Sequence, residues 1–382
     1  PLCGLAPSIG TLIGARIVQG VGGAMMVPQG LALVPALFPP KERGAAFALF
    51  GLSAGLASVT GPVLGGALIA GDIAGLGWRP IFLVNVPVGA LAILGALRFV
   101  PKVPGDRGLR LDVVGIALAG LALMAVLFPL IEGRQIGWPW WCFALIALAV
   151  PMAAGFVLWE RSRARAGASQ LLPAELLANR GYMLGAVLVM MVFAGIPGFF
   201  LTFALTLQTG NGLTPLQSGL TTMPFSIGVL GASILSSWLG IRWPRTRIAV
   251  GAALLLLGMG SVVLVLPRDG ALLAQAAFIA PLLVAGLGLG TAVSPLFQTA
   301  LANVAGRDTG GASGALQAFQ QVGGALGLAV MGELFFQTLR AGAVEGNALY
   351  SQAMTHALAF NTASFLLVGL LVLRLPEPDL GG

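Results

Sequence analysis

The chain has 382 residues, of which 57% are hydrophobic and only 9% charged, with a formal net charge of +7. A soluble domain carries roughly 25% charged residues, so this chain could not coat its own surface in water and reads as an integral membrane protein. The basic residues lie in short loops between apolar runs, which argues against a nucleic-acid partner; two cysteines (Cys3, Cys142) and one histidine (His356) leave no basis for a disulfide framework or a metal site.

A membrane-spanning helix needs about 20 apolar residues. Eleven stretches qualify: 9–37, 44–70, 80–100, 112–131, 140–159, 181–207, 217–239, 246–266, 271–298, 313–336 and 356–374. Turn-forming and charged segments such as "PPKERG", "GDIAGLGWRP", "PKVPGDRGLRLD", "RSRARAGASQ" and "AGRDTGGASG" separate them. If the spans alternate in direction, one set of loops holds 15 Lys and Arg residues and the other holds 4. The positive-inside bias makes the first set cytoplasmic. The C-terminus is then cytoplasmic and the first span runs inward, so an odd number of helices is expected before it. The opening "PLCGLAPS" begins with Pro1 and reads as the tail of an apolar segment whose body is missing. Arginine far outnumbers lysine, and Ala and Gly dominate, which reads as a GC-rich bacterial source.

In chain order, the first residue with chemical interest is Arg16, about two turns into the first span. A cation in hydrocarbon costs about 2.5 kcal/mol or more, so Arg16 should face a bundle interior and have a partner. Gln19 lies three residues on, on the same face. Next comes "GLSAGLASVTGPVLGGALIA", residues 51–70. At 100° per residue, Gly51, Gly55, Ser58, Pro62, Gly65 and Gly66 form one stripe with Gly61 beside it. Small residues at this spacing let a neighbouring backbone approach closely, and Pro62 bends the helix. Glu132 ends its span and reads as interfacial. Glu333, towards the end of the 313–336 span, is the intramembrane acid and a candidate proton or cation site; an interfacial Glu in water is the alternative. His356 opens the last span in a capping or interfacial role. The tryptophans cluster at span ends as an aromatic belt.

Several chemistries are excluded. Neither lysine follows a glycine, so no phosphate-binding P-loop exists. One histidine cannot build a hydrolytic triad or a metal constellation, so an enzyme is not expected and no cofactor is implied. No polar filter segment suggests a channel.

The chain resembles the major facilitator superfamily, in its fourteen-helix drug:proton antiporter branch. The stretch Gly61-Pro62-Val63-Leu64-Gly65-Gly66, preceded by Gly51 and Gly55, resembles the antiporter motif of the fifth helix. The segment with Arg16, Gln19 and Gly20 resembles the Arg-containing motif of the fourth. "PPKERG", "WRPIFLVNVPVG" and "GGASGALQAFQQVGGALGLAVMG" resemble later family segments, with Pro80 departing from the usual aromatic. The resemblance implies an all-α polytopic membrane protein in which this chain supplies helices four to fourteen, truncated at its N-terminal side. Residues 1–100 would be the remainder of the N-terminal bundle, 101–180 two additional central helices with a linker, and 181–382 a six-helix C-terminal bundle. It also implies efflux of small hydrophobic or amphipathic drugs, cationic ones included, across a bacterial cytoplasmic membrane by alternating access, with the proton gradient as energy source. Arg16, Gln19 and Glu333 would form the proton-coupling network, with the acid partner of Arg16 in the missing segment, and residues 51–66 the rocking contact. Two alternatives stay open: a dedicated exporter of one natural product, and a non-transporting fragment. Oligomeric state is not implied.

Overall fold

The structure, a computed structural model, describes residues 1–101, 112–168, 170–239, 242–267, 274–302, 304–305, 308–342 and 346–375. Within these, some side chains between 31 and 74, and those of Ala174 and Ser237, fall outside the description. Every regular element among the described residues is helical. In chain order they are α1 (Ile9–Leu37), α2 (Pro40–Ala70), α3 (Pro80–Leu83), α4 (Asn85–Phe99), α5 (Val113–Glu132), α6 (Trp140–Arg165), α7 (Ala174–Ala178), α8 (Arg180–Ala194), α9 (Pro197–Leu205), α10 (Pro215–Leu239), α11 (Pro244–Val265), α12 (Ile279–Leu301), α13 (Thr309–Ala341) and α14 (Asn347–Val372). Backbone polar groups in a bilayer must be satisfied within the protein, which makes helices the available spanning form. Ten spans among the described residues are long and apolar enough to cross. The expected span 44–70 falls on α2, a 31-residue helix whose side chains are only partly described.

Helix ends follow local chemistry. Ser8 and Thr11 form a reciprocal cap at the start of α1, with the Ser8 N–H donating to Thr11 Oγ1 at 3.0 Å and the Thr11 N–H to Ser8 Oγ at 3.3 Å. Asp112 caps α5, accepting from the Gly115 N–H at 2.9 Å. Several expected boundaries need correction: the 80–100 span is interrupted at Val84, the helix expected from 271 starts at Ile279, and that expected over 313–336 runs from Thr309 to Ala341. The sixth span, 181–207, is broken: α8 ends at Ala194, α9 starts at Pro197, and a π-helical turn follows over Thr206–Gly210. Pro197 cannot donate a backbone hydrogen bond, so the ladder stops before it. The fifth span continues past 159 to Arg165, because "RSRAR" consists of residues that tolerate helix outside the apolar core. The last helix starts at Asn347, so His356 lies inside it rather than opening it, and its Nδ1 pairs with Thr338 Oγ1 at 2.9 Å.

The core lies in α8–α14. Phe199, Phe203, Phe225, Phe278, Phe335 and Phe365 are fully buried there. α10 and α11 both pack on α12, α8 packs on α13, and α14 closes against α11 and α13. Glycine allows the closest of these approaches. A Cβ on Gly327 would overlap the Ala194 carbonyl oxygen of α8, and one on Gly286 would overlap the Phe225 carbonyl oxygen of α10. α5 and α6 form a hairpin, and α5 packs on α13. α2 lies along α10 and touches α12, while α1 meets α13.

Candidate functional site

Arg16 and Gln19 do come together. Arg16 Nη1 donates to Gln19 Oε1 at 3.1 Å, and the guanidinium lies 4.7 Å from the centroid of the Phe82 ring in α3. The Cys3 thiol donates to the same Gln19 oxygen at 3.4 Å. A cavity of about 240 Å³ lies here, lined by residues that include Cys3, Gln19, Phe82 and Asn85. Among the described residues no carboxylate pairs with Arg16. Its partners are an amide and an aromatic face, arrangements that accept a cation at modest energy.

The α2 stripe is only partly described. Gly51, Gly55 and Pro62 lie in α2, with surroundings outside the described set. A Cβ on Gly61 or Gly65 would meet nothing within 4 Å. Gly66 makes the close approach: a Cβ there would sit 3.3 Å from Leu216 Cα and 3.5 Å from its backbone nitrogen, at the start of α10. At another point of the same boundary, Ser313 Oγ in the first turns of α13 donates to the Pro28 carbonyl of α1 at 3.3 Å, and Val34 of α1 joins the buried core. The helices before residue 71 therefore touch the C-terminal core at separate places along their length.

Glu333 lies in α13, and its side chain is 24% exposed. The Trp138 indole N–H donates to its Oε2 at 3.3 Å, Gln337 Nε2 donates to its Oε1 at 3.0 Å, and Arg340 Nη1 stands 4.0 Å away. Nearby, the Arg134 guanidinium lies 4.0 Å from the centroid of Phe336. Trp138 and Arg134 both belong to the α5–α6 turn, so this end of α13 holds that turn in place. Trp138 is thus more than a member of an aromatic belt.

A second cluster was not visible as a site in the sequence. At the other end of the α5–α6 hairpin, the Trp159 indole N–H donates to both Asp112 oxygens, at 3.1 and 3.0 Å, and Arg163 Nε pairs with Oδ2 at 3.2 Å. Burial pushes the Asp112 carboxyl up, but the Gly115 and Trp159 hydrogen bonds and the Arg163 charge outweigh it and hold the group below its ordinary value. Glu160 is fully buried and accepts from the Leu171 N–H at 3.3 Å, while Gln170 Nε2 donates to its backbone carbonyl at 2.8 Å. Gly311, in the first turn of α13, packs so closely on the Leu171 carbonyl that a Cβ would overlap it. The hairpin is thereby fastened towards α13 at both ends. Asp112 directly before an apolar run was a readable cap signal; its partners 47 and 51 residues away were not.

The geometry is that of a polytopic membrane protein, with early and late helices meeting along α2/α10 and α1/α13. Comparison with known proteins agrees. The Major Facilitator Superfamily family model matches residues 1–112 and 103–328. The chain belongs to the major facilitator superfamily. It is 39% identical over 339 residues to the probable actinorhodin transporter of Streptomyces coelicolor, covering 88% of this chain and 59% of that protein. It is 32% identical over 341 residues to the multidrug resistance protein Stp of Mycobacterium tuberculosis, covering 89% of this chain and 61% of the relative. Against the methylenomycin A resistance protein of Streptomyces coelicolor the figures are 34% identity over 343 residues, 88% of this chain and 69% of the relative. The chain spans about 59% to 61% of the length of the first two.

Proposed function

We propose that the chain is the larger part of an exporter that moves small hydrophobic or amphipathic molecules by alternating access, driven by the proton gradient. The observation that carries this reading is the α2–α10 boundary, where Gly66 brings two helix backbones into contact at the edge of two helical groups. In such carriers the cargo site lies between the groups and transport rocks one against the other. The names of the relatives, which refer to multidrug resistance and to transport of or resistance to single antibiotics, support a drug-like cargo. Residues 1–100 would move against 181–382, with the 101–180 segment as the added hairpin and linker. The 15-to-4 distribution of basic residues supports a cytoplasmic C-terminus. Arg16 and Gln19 would tune the coupling network, and Glu333 would carry the transported proton, with Trp138, Gln337 and Arg340 as its local partners.

The test is efflux by the complete gene product in a pump-deficient bacterial host, using a panel of drugs and dyes. The expected result is lowered accumulation of panel members, abolished by a protonophore and by Arg16→Ala at unchanged expression. Unchanged accumulation, or efflux that ignores the protonophore, would overturn the reading. A second reading, export of one natural product, is favoured by the 39% identity to a protein named for actinorhodin. It predicts that a single member of the panel is moved.

A further inference from the structure

We infer that Asp112 and Glu160, at the arginine-rich end of the α5–α6 hairpin, form a proton-binding site in which two carboxyls share one proton, and that this proton keeps the linker to α8 docked on α13. The site is separate from Glu333, and it goes beyond the export reading because it holds whatever the cargo is.

Asp112 caps α5, and Glu160 lies in the last turns of α6. Both are buried, Glu160 completely. Their carboxyls are in hydrogen-bond contact with each other. They also flank one backbone position, since a Cβ on Gly115 would sit 2.5 Å from Asp112 Oδ2 and 3.0 Å from Glu160 Oε1. An ionised carboxylate only accepts hydrogen bonds, so a bond between two carboxyls needs a proton on one of them.

The neighbours place that proton on Glu160. Asp112 is surrounded by donors, namely the Gly115 N–H, the Trp159 indole N–H and the Arg163 guanidinium. These suit an ionised group. Glu160 Oε1 accepts from the Leu171 N–H at 3.3 Å and from the Leu172 N–H. Its Oε2 is buried and meets no donor. A proton on Oε2, donated to Asp112, gives that atom its partner. Charge points the same way. With Glu160 protonated, the charges of Asp112, Glu160 and Arg163 sum to zero. With both acids ionised, two like charges stand in contact away from water, which a buried pair does not sustain. Asp112 and Arg163 are the charged groups that act on Glu160. Around them, Arg161 is exposed, and residues 166–173 include no charged residue. Glu175, exposed at α7, and Asp308, half-buried before α13, are both acids, so their charge also favours a bound proton.

The same side chain holds the linker. Gln170 Nε2 donates to the Glu160 carbonyl at 2.8 Å, and Leu171 is fixed by Oε1. The Leu171 carbonyl in turn lies against Gly311 of α13. Two residues further on, Ser313 reaches the Pro28 carbonyl of α1. When the proton leaves, the Glu160 carboxylate relieves its contact with Asp112 by turning out to water, and Leu171 loses its acceptor. The docked form thus binds one proton more than the released form. Docking is complete at low pH and weakens as pH rises through the midpoint of the site.

The experiment uses the complete gene product, purified in detergent. Protonation is read from the carboxylic C=O stretch in infrared difference spectra. Docking is read from amide hydrogen exchange of residues 167–172, corrected for the intrinsic effect of pH. At neutral pH a protonated-carboxyl band should be present that Glu160→Gln removes. Raising the pH should abolish this band and, over the same range, speed exchange of the linker at least tenfold. Glu160→Gln, which has no such proton to lose, should keep the linker slow at every pH. Asp112→Asn keeps an oxygen for the Gly115 cap but removes the neighbouring charge, and should lower the midpoint by at least one pH unit. Either substitution decides alone if the other fails to fold. A spectrum unchanged by Glu160→Gln, linker exchange that ignores loss of the band, or a midpoint unmoved by Asp112→Asn would overturn the inference.

Discussion

Glycine-rich helices occur on both sides of the α2–α10 boundary, yet they are used differently. In the C-terminal core, Gly327 and Gly286 meet backbone carbonyls so closely that no side chain fits. Among the described glycines of α2, Gly61 and Gly65 face open space, and Gly66 makes a backbone approach, at 3.3 Å and therefore looser. The core contacts are permanent seams, since separating them would strand buried surface. The α2 helix lies along α10, but its one described backbone approach, at Gly66, is looser than those of the core, which suits a surface that parts and re-forms.

This difference sets the order of expected effects. Gly327→Leu should be the most damaging, because the new side chain collides with Ala194 backbone that cannot move. Overpacking costs about 1–3 kcal/mol and occasionally more; with a carbonyl oxygen in the way we expect the upper end, and loss of monodisperse protein in detergent. Gly66→Leu should leave folding and yield near normal but cut transport by the complete protein at least tenfold; Gly65→Ala, where a Cβ meets nothing, should behave as the unsubstituted protein. Equal loss of transport from both α2 substitutions would remove the distinction between position 66 and its neighbours. Trp138→Phe should have the smallest effect. It removes one indole hydrogen bond to Glu333, about 1 kcal/mol, and should lower the melting temperature of purified protein by a few degrees. No shift at all would mean that the Trp138–Glu333 hydrogen bond does not help to hold the turn, leaving the Arg134–Phe336 contact at this end.

Much of the architecture was legible in the sequence because spanning helices need unbroken apolar runs. The 9–37 span matches α1 to the residue, and the 217–239 and 246–266 spans fall within two residues of α10 and α11. Boundaries failed where a helix outlasts its apolar stretch. The polar start "NALYSQAMT" hid nine residues of α14, and "RSRAR" hid the end of α6. The break before Pro197 was signalled by "AGIPG" but is masked by the surrounding hydropathy. Arg16 with Gln19 was legible because a helix turn brings them together. Trp138 with Glu333 was not, since 195 residues separate them and only tertiary packing joins them. Spacing marked the α2 stripe as a packing face but could not say that Gly66, and not Gly65, would touch a neighbour.

The central claim is that the α2–α10 contact opens in every transport cycle. Cysteines at positions 66 and 216, in the complete protein with Cys3 and Cys142 replaced by serine, test it most directly. A Cβ at 66 meets the backbone of Leu216 rather than its side chain, so a short bifunctional thiol reagent and not a disulfide joins the pair. Cross-linking should abolish the gradient-driven transport that the same protein shows before the reagent is added. Transport at full rate through the cross-linked protein would contradict the account.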